Sequence, residues 1–358
     1  MLPAALDPRR PKHPVKLLIT GIAGFIGRNA AEHFLGRGDF VVGVDSLCRK
    51  GSRESLQQIR HHPRLHFEQL DVGDAEAVDQ VVRQQAGLEA VLHLAGQVAV
   101  TTSVARPRED LESNLLGTFN MLEALRKHRP QAAFVNASTN KVYGGLSQVP
   151  VVERNGRYEY ADRPFGISEE QPLDFCSPYG CSKGAADQYV LDYARIYGMR
   201  TVSFRQSCIY GQNQFGVTDQ GWVAWFVIAA AAGRPITIHG DGKQIRDLLH
   251  VQDLIRLYEL AVARMDSIKG QCFNVGGGPA NTLSLLELIS FLEEHTGRKL
   301  LLHGADWRPG DQKVFVADIR KVERVLGWKP AIRIPEGLEW LCGWVGQNLG
   351  LCRKILGI

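Results

Sequence analysis

Tyr179 and Lys183 stand four residues apart in the run Tyr179-Gly180-Cys181-Ser182-Lys183, so on a helix a phenol and an ammonium share one face. A phenol that ordinarily ionises near pH 10 becomes a general base only where positive charge favours the phenolate, and a lysine one turn away is such a charge. Thr139, in Ala137-Ser138-Thr139-Asn140-Lys141-Val142-Tyr143-Gly144, falls at the carboxyl end of a predicted strand. Its hydroxyl is the better candidate, over Ser138, to bridge the phenol and a substrate oxygen. A Tyr-x-x-x-Lys pair also arises by chance on many surface helices; three such groups downstream of a glycine loop define a site for moving a hydroxyl proton. Cys176 and Cys181 flank Tyr179 and read as buried or pocket-lining small residues rather than nucleophiles. His93 and His250 have no second ligand at helical spacing and are assigned to packing and hydrogen bonding, so no metal is expected.

The glycine loop is Thr20-Gly21-Ile22-Ala23-Gly24-Phe25-Ile26-Gly27, between a predicted strand and a predicted helix. Its glycines fall where a turn must be tight and where backbone must approach a pyrophosphate, with the helix N-terminus as the anion site. By itself the loop suits a plain βα turn equally well. Asp45 ends the next strand close to the ~20-residue spacing at which a carboxylate meets ribose hydroxyls, which favours NAD over NADP. Arg49, Lys50 and Arg53 nearby keep NADP open. Asp71 and Val72 end the third strand, where they would cap adenine; Leu94, Ala95 and Gly96 end the fourth, where small residues would let a dinucleotide lie against the sheet edge.

The elements that must hold these groups follow a regular rhythm. Short β-branched runs (VKLLIT, VVGVD, LHFEQLDV, AVLHLAG, AFVNAST, TVSFRQS) alternate with helix-length segments starting near Phe25, Arg53 and Ala75, then spanning Leu111 to Lys127 and Pro178 to Tyr197. That alternation predicts an α/β fold, a Rossmann-type doubly wound parallel sheet with its strand ends facing one crevice. Gly144 to Phe175 breaks the rhythm and reads as an ordered pocket insertion. After Gly211 come shorter elements (PITIHGDG, CFNVGGG, a helix from Ser284 to Thr296, ADIRKVERVLG), taken as a smaller C-terminal α/β substrate lobe. The expected division is a disordered lead-in over 1–14, a dinucleotide domain over 15–210, an interleaved substrate lobe over 211–345 and a tail over 346–358. LCGWVGQNLGLCRKILGI reads as a docking helix followed by a mobile tail.

Composition narrows the class. Of 358 residues, 44% are hydrophobic and 22% charged, as in soluble globular chains, and 42 basic against 38 acidic residues show no basic run that would suit nucleic acid. Seven cysteines without a C-x-x-C pair read as reduced cytoplasmic thiols. The N-terminus lacks an apolar core of signal-peptide length. The apolar run Trp222 to Ala232 falls short of the ~20 residues a membrane helix needs and reads as a buried helix, so no membrane partner is expected.

These motifs resemble the extended short-chain dehydrogenase/reductase family of nucleotide-sugar enzymes, from about Val15 to Trp344. The resemblance rests on the glycine loop, Asp71-Val72, Ser113-Asn114-Leu115-Leu116-Gly117-Thr118, Ser138-Thr139, Tyr179 with Lys183, and Gly240-Asp241-Gly242-Lys243-Gln244-Ile245-Arg246-Asp247. It implies NAD as a tightly held cofactor on Gly21, Ala23, Gly24, Phe25, Ile26, Gly27, Asp45, Asp71, Val72, Leu94, Ala95, Gly96, Asn114, Tyr179 and Lys183. It implies Thr139, Tyr179 and Lys183 as catalytic residues, and substrate contacts from Thr139, Asn140, Lys141, Gln206, Cys208, Arg246, Arg308 and Asp311, with the two arginines gripping a pyrophosphate. Dehydratases of the family carry Asp-Glu where Asn140-Lys141 stand, and decarboxylases place Glu at the Lys141 position. Epimerisation is the reaction left over. Ser138 to Gly144, Ser177 to Tyr189 and Asp219 to Trp222, with Cys208 where common 4-epimerases have Asn, resemble the members that invert carbon 2 of a CDP-linked hexose. A 4-epimerase, a 4-ketosugar reductase and a non-catalytic nucleotide-sugar sensor are the alternatives. Family members commonly pair through the helices containing Leu111 to Lys127 and Tyr179 to Tyr197, which implies a dimer or tetramer.

Overall fold

The computed structural model describes residues 13–308 and 311–358. Most of the predicted lead-in, and Pro309 and Gly310, therefore lie outside the described residues. Seven parallel strands form the main sheet: β1 (Lys16–Thr20), β2 (Phe40–Asp45), β3 (Leu65–Gln69), β4 (Ala90–His93), β5 (Ala133–Thr139), β6 (Thr201–Gln206) and β7 (Gln271–Val275). Their spatial order is β7-β6-β5-β4-β1-β2-β3. The order reverses between β1 and β4, the switch point at which doubly wound sheets bind ligands.

Strand alternation divides the core. Leu17 and Ile19 of β1 and Val41 of β2 pack beneath the helices Phe25–Gly36 and Val251–Ala263; Leu18, Val42 and Val44 point the opposite way, toward Ala75–Gln84 and Gly117–His128. Near-continuous apolar strands covered on both faces are what a parallel sheet demands.

Four expectations are corrected. The predicted helix from Leu111 to Lys127 begins at Pro107 and contains a π turn, Glu112–Leu116, before continuing as Gly117–His128. CFNV, read as part of the smaller lobe, is β7: Gln271 to Val275 pair in register with Val202 to Gln206. The helix Arg320–Leu326 likewise returns Val322 and Leu326 to the first core. Residues 346–358 are not a mobile tail, because the last helix runs from Ile334 to Leu356. Cys352 and Ile355 are buried on it, and Leu349, Leu356 and Ile358 pack on the second core. Apolar residues on one face of that segment outweigh the break at Asn348, whose φ/ψ is non-helical.

The second core lies under the helices Trp222–Ala232, Leu285–Thr296 and Ile334–Leu356. A strand, Ile245–His250, pairs with Cys208–Tyr210, Thr282–Ser284 and Val314–Phe315 and so joins this lobe to the sheet's carboxyl edge. The segment after Gly144 forms an antiparallel hairpin, Val151–Arg154 with Arg157–Tyr160, and seats Ile167 against Ala317.

Candidate active site

The glycine loop bends against the ends of β2 and β4. Gly21 has φ 69°, and a β-carbon there would meet Ala95 N at 2.8 Å; one at Gly27 would stand 2.1 Å from Gly21 O. At Gly24 the added carbon would meet only Gly21 O, at 3.1 Å, leaving that side of the loop open. Helix Phe25–Gly36 starts there with no side-chain cap, so its first amides are free for an anion. A cradle that closes at Gly21 and Gly27 and opens at Gly24 fits a dinucleotide pyrophosphate.

Asp45 lies beside the loop. Its carboxylate accepts from Ala23 N at 3.0 Å and Leu47 N at 2.8 Å, and burial pushes its pKa up against those bonds. Each oxygen keeps a lone pair for a ribose hydroxyl. Asp71 is exposed and accepts from Gly73 N at 2.9 Å. Val72 is buried and packs against Gly117. Phe25 and Ile26 are half-buried and pack on the first core, while Leu94, Ala95 and Gly96 are half-buried at the end of β4. Thr20 fixes that strand end by accepting from Leu94 N and Ala95 N at 3.0 and 3.1 Å, and it meets His93 Nδ1 at 3.0 Å. His93 is fully buried, and desolvation lowers its pKa to about 3. It is a neutral hydrogen-bonding residue, as expected.

Tyr179, Thr139 and Lys183 converge at the carboxyl end of β5, all three buried. Ser177 and Pro178 open the helix Ser177–Tyr197, placing Tyr179 in its first turn. The Thr139 hydroxyl hydrogen-bonds the Tyr179 phenol and favours its ionisation, yet burial is the larger effect and raises the phenol's pKa. Lys183 donates to Ala137 O; its own pKa is lowered by burial to about 8, with Asp187 and Asp110 opposing. The lysine therefore contributes less to the phenol than spacing suggests, because its ammonium is engaged by a carbonyl and partly desolvated. Oxidised nicotinamide would add the positive charge that is missing. Asn114 is buried, and its Oδ1 has no partner and points at Gly96, where a β-carbon would meet it at 2.5 Å.

Asn140 and Lys141 continue from Thr139, and Lys141 Nζ reaches Gln312 Oε1 at 3.5 Å. Burial, then Arg246, lowers the Lys141 pKa to about 8. Cys208 is desolvated, which pushes its thiol up to about 12 and leaves it neutral. Gln206 is in register with Thr139 but donates to Tyr258 OH at 2.6 Å, so it is tied into the core rather than presented to a ligand. Asp311 is the ion-pair partner of Arg246 at 2.8 Å, and Arg308 pairs with Asp219 at 3.2 Å and donates to Thr218 O at 2.9 Å. Both arginines are thus pre-positioned by carboxylates. Cys176 and Cys181, expected to be buried or pocket-lining, are exposed rather than buried.

Sequence reasoning missed Asp110, Gln97 and Ser182, which are hydrogen-bonded to one another beside Asn114. The available signal was spacing: Asp110 lies four residues before Asn114, and Ser182 sits between Tyr179 and Lys183. Among the described residues no cluster of three His, Cys, Asp or Glu could hold a metal ion, and no helix is long and apolar enough to cross a membrane.

The doubly wound sheet, the glycine cradle and the Thr-Tyr-Lys constellation define a nucleotide-cofactor enzyme of the extended reductase type. Residues 18–341 match the family model described as GDP-mannose 4,6 dehydratase, and the chain belongs to this NAD-dependent epimerase/dehydratase family. It is 43% identical over 338 residues to a CDP-paratose 2-epimerase from Salmonella typhi, covering 93% of this chain and all of that one. A dTDP-glucose 4,6-dehydratase from Escherichia coli is 31% identical over 350 residues, 93% of each chain. Among solved structures, a dTDP-glucose 4,6-dehydratase from Streptomyces venezuelae with NAD bound superimposes with TM-score 0.82 at 28% identity, covering 95% of this chain and all of that one. A UDP-glucose 4-epimerase from Thermotoga maritima with UDP-glucose superimposes with TM-score 0.80 at 29% identity, covering 94% of this chain and all of that one.

Proposed function

We propose that this protein inverts carbon 2 of a CDP-linked hexose of the paratose/tyvelose type. The observation that carries the reading is the buried Thr139–Tyr179–Lys183 site continued by Asn140 and Lys141: it supplies a proton-handling phenol and no adjacent carboxylate to drive elimination. The full-length likeness to a CDP-paratose 2-epimerase supports the carbon and the base. Tyr179 takes the proton of the carbon-2 hydroxyl as that carbon is oxidised to the ketone, while Thr139 steadies the oxygen. The ketosugar turns, and Tyr179 returns the proton as the opposite face is reduced. Bound NAD would supply the redox chemistry at carbon 2, held by Gly21, Gly24, Gly27, Asp45, Asn114 and Lys183. Arg246 and Arg308 hold the diphosphate, each oriented by its carboxylate partner.

The exposed apolar residues Leu116, Phe119, Tyr189, Ile196 and Tyr197 on the two helices flanking this site support pairing of subunits there into a dimer or tetramer. We assign the enzyme to the cytoplasm, where its free thiols stay reduced. We take residues 15–210, completed by β7 and the helix Arg320–Leu326, as the dinucleotide domain, and the rest of 211–345 with the remainder of the last helix as the interleaved substrate lobe.

Proton NMR of the purified enzyme with CDP-paratose, CDP-glucose, GDP-glucose or UDP-glucose, without added cofactor, tests the reading. Inversion at carbon 2 of a CDP sugar is expected, and Tyr179→Phe should abolish it while NAD stays bound. Inversion at carbon 4 of a UDP sugar overturns the carbon and base, and net change in nicotinamide absorbance overturns epimerisation in favour of reduction.

A further inference from the structure

Asp110 is a fully buried carboxylate with no role in the chemistry above, and it lies against the catalytic helix. It stands in the short helix Pro107–Leu111, just before the chain enters the π turn. Its Oδ1 accepts from Gln97 Nε2 at 2.9 Å and Asn114 Nδ2 at 3.1 Å, and its Oδ2 accepts from the Ser182 hydroxyl. Each partner donates, which is the pattern an ionised carboxylate accepts. None of the three is charged, so the field of the buried anion reaches beyond its own hydrogen bonds.

Three pieces of the site meet at this group. Gln97 follows Gly96 at the end of β4; Asn114 is carried by the π turn, a distortion often found at functional positions. Ser182 lies between Tyr179 and Lys183, and its hydroxyl is also 3.2 Å from Tyr179 O. The groups facing the Tyr179–Lys183 pair are Thr139 from β5, Asp187 one turn farther along the catalytic helix, His93 from β4, which burial keeps neutral, and Asp110. Asp187 is ion-paired with Arg205 at 2.7 Å and acts on Lys183 more than Asp110 does, but of the two only Asp110, which has no cationic partner among its hydrogen bonds, acts on both Lys183 and Tyr179.

We propose that Asp110 is a positioning residue that pins the catalytic helix through Ser182 and sets the charge balance of the Tyr179–Lys183 pair. It acts through its neighbours and touches no reacting atom. The inference rests on the assignment of Tyr179 and Lys183 as the proton-handling pair.

Asp110→Asn isolates the charge. The asparagine oxygen accepts from Gln97 and Asn114 while its amide donates to Ser182 Oγ, whose hydroxyl turns to Tyr179 O, so the network survives and the anion does not. The readout is the ultraviolet phenolate absorbance of the NAD-loaded enzyme against pH, taken as wild type minus Tyr179→Phe, and as Asp110→Asn minus the double variant. The midpoint should fall by about one pH unit in Asp110→Asn. Both limbs of the pH–rate profile should move down with it, because a buried anion favours protonation of phenol and amine alike. Ser182→Ala, which keeps the charge and loses the pin, should lower kcat and leave the midpoint in place. An unmoved midpoint in Asp110→Asn overturns the proposal and leaves Asp110 a structural residue, whatever happens to the melting temperature. Near-normal turnover in Tyr179→Phe would instead remove the acid–base reading, and the absorbance titration would still decide whether Asp110 governs Tyr179.

Discussion

Replacing Gly27 by alanine puts one methyl group where the structure has no space for it. The added carbon would lie 2.1 Å from Gly21 O and 2.8 Å from both Gly21 C and Ile22 Cα. All three are backbone atoms, so no rotamer change relieves the clash, and ordinary contact begins near 3.4 Å. The loop must retreat by about 1 Å, enough to take its amides out of the N–H···O range of about 2.7–3.2 Å to a bound pyrophosphate. Losing two charge-assisted hydrogen bonds of about 1.5–3 kcal/mol each removes about 3–6 kcal/mol of binding, a fall in NAD affinity of about 10²–10⁴-fold. The cofactor-free fold should lose only the overpacking cost of about 1–3 kcal/mol. Measuring NAD released from the purified variant by acid, together with calorimetric titration of NAD, checks both figures. Wild-type NAD content in Gly27→Ala would refute the assignment of this loop as the pyrophosphate cradle.

Two further outcomes follow from burial. Lys141 has a folded pKa near 8 against 10.5 when free, so the unfolded chain binds more protons between those values and wild-type stability rises with pH across that window. The cost of burying the ammonium is fully present below about pH 8. Lys141→Met should therefore be more stable than wild type by about 1–3 kcal/mol at pH 7, with the gap closing toward pH 10.5; urea unfolding at the two pH values checks it, and a less stable variant at pH 7 contradicts it. Deleting residues 349–358 removes Cys352, Ile355 and their packed neighbours, at about 1.5–3 kcal/mol for each fully buried side chain. A clear drop in melting temperature is expected, and an unchanged one would return this segment to the status of a tail.

What could be read from the sequence was whatever depends on period and local spacing. The β-branched runs became strands because apolar residues on both strand faces need helices above and below, and the Tyr179–Lys183 spacing became a shared helix face. β7 was assigned to the wrong lobe because Phe273 and Val275 look alike whether they complete one sheet or begin another; only pairing with Phe204 and Gln206 decides. Gln206 and Val72 carried motif positions but point into the core, which depends on partners Tyr258 and Gly117 far along the chain. Asp110 was invisible for a related reason: a lone aspartate in a charged stretch, Arg106 to Glu112, looks solvated until tertiary packing encloses it.

The placement of β7 has a consequence for how the two lobes are built. The chain leaves the main sheet after β6, makes the helix Trp222–Ala232 and the strand Ile245–His250, then comes back to supply the sheet's last strand before leaving again for the helix Leu285–Thr296. Arg320–Leu326 returns once more, and Ile334–Leu356 ends in the second core. Neither lobe is therefore a continuous stretch that could be excised, expressed alone or exchanged with a relative's by a single crossover. Any cut placed between them leaves the sheet without its edge strand and the second core without its last helix.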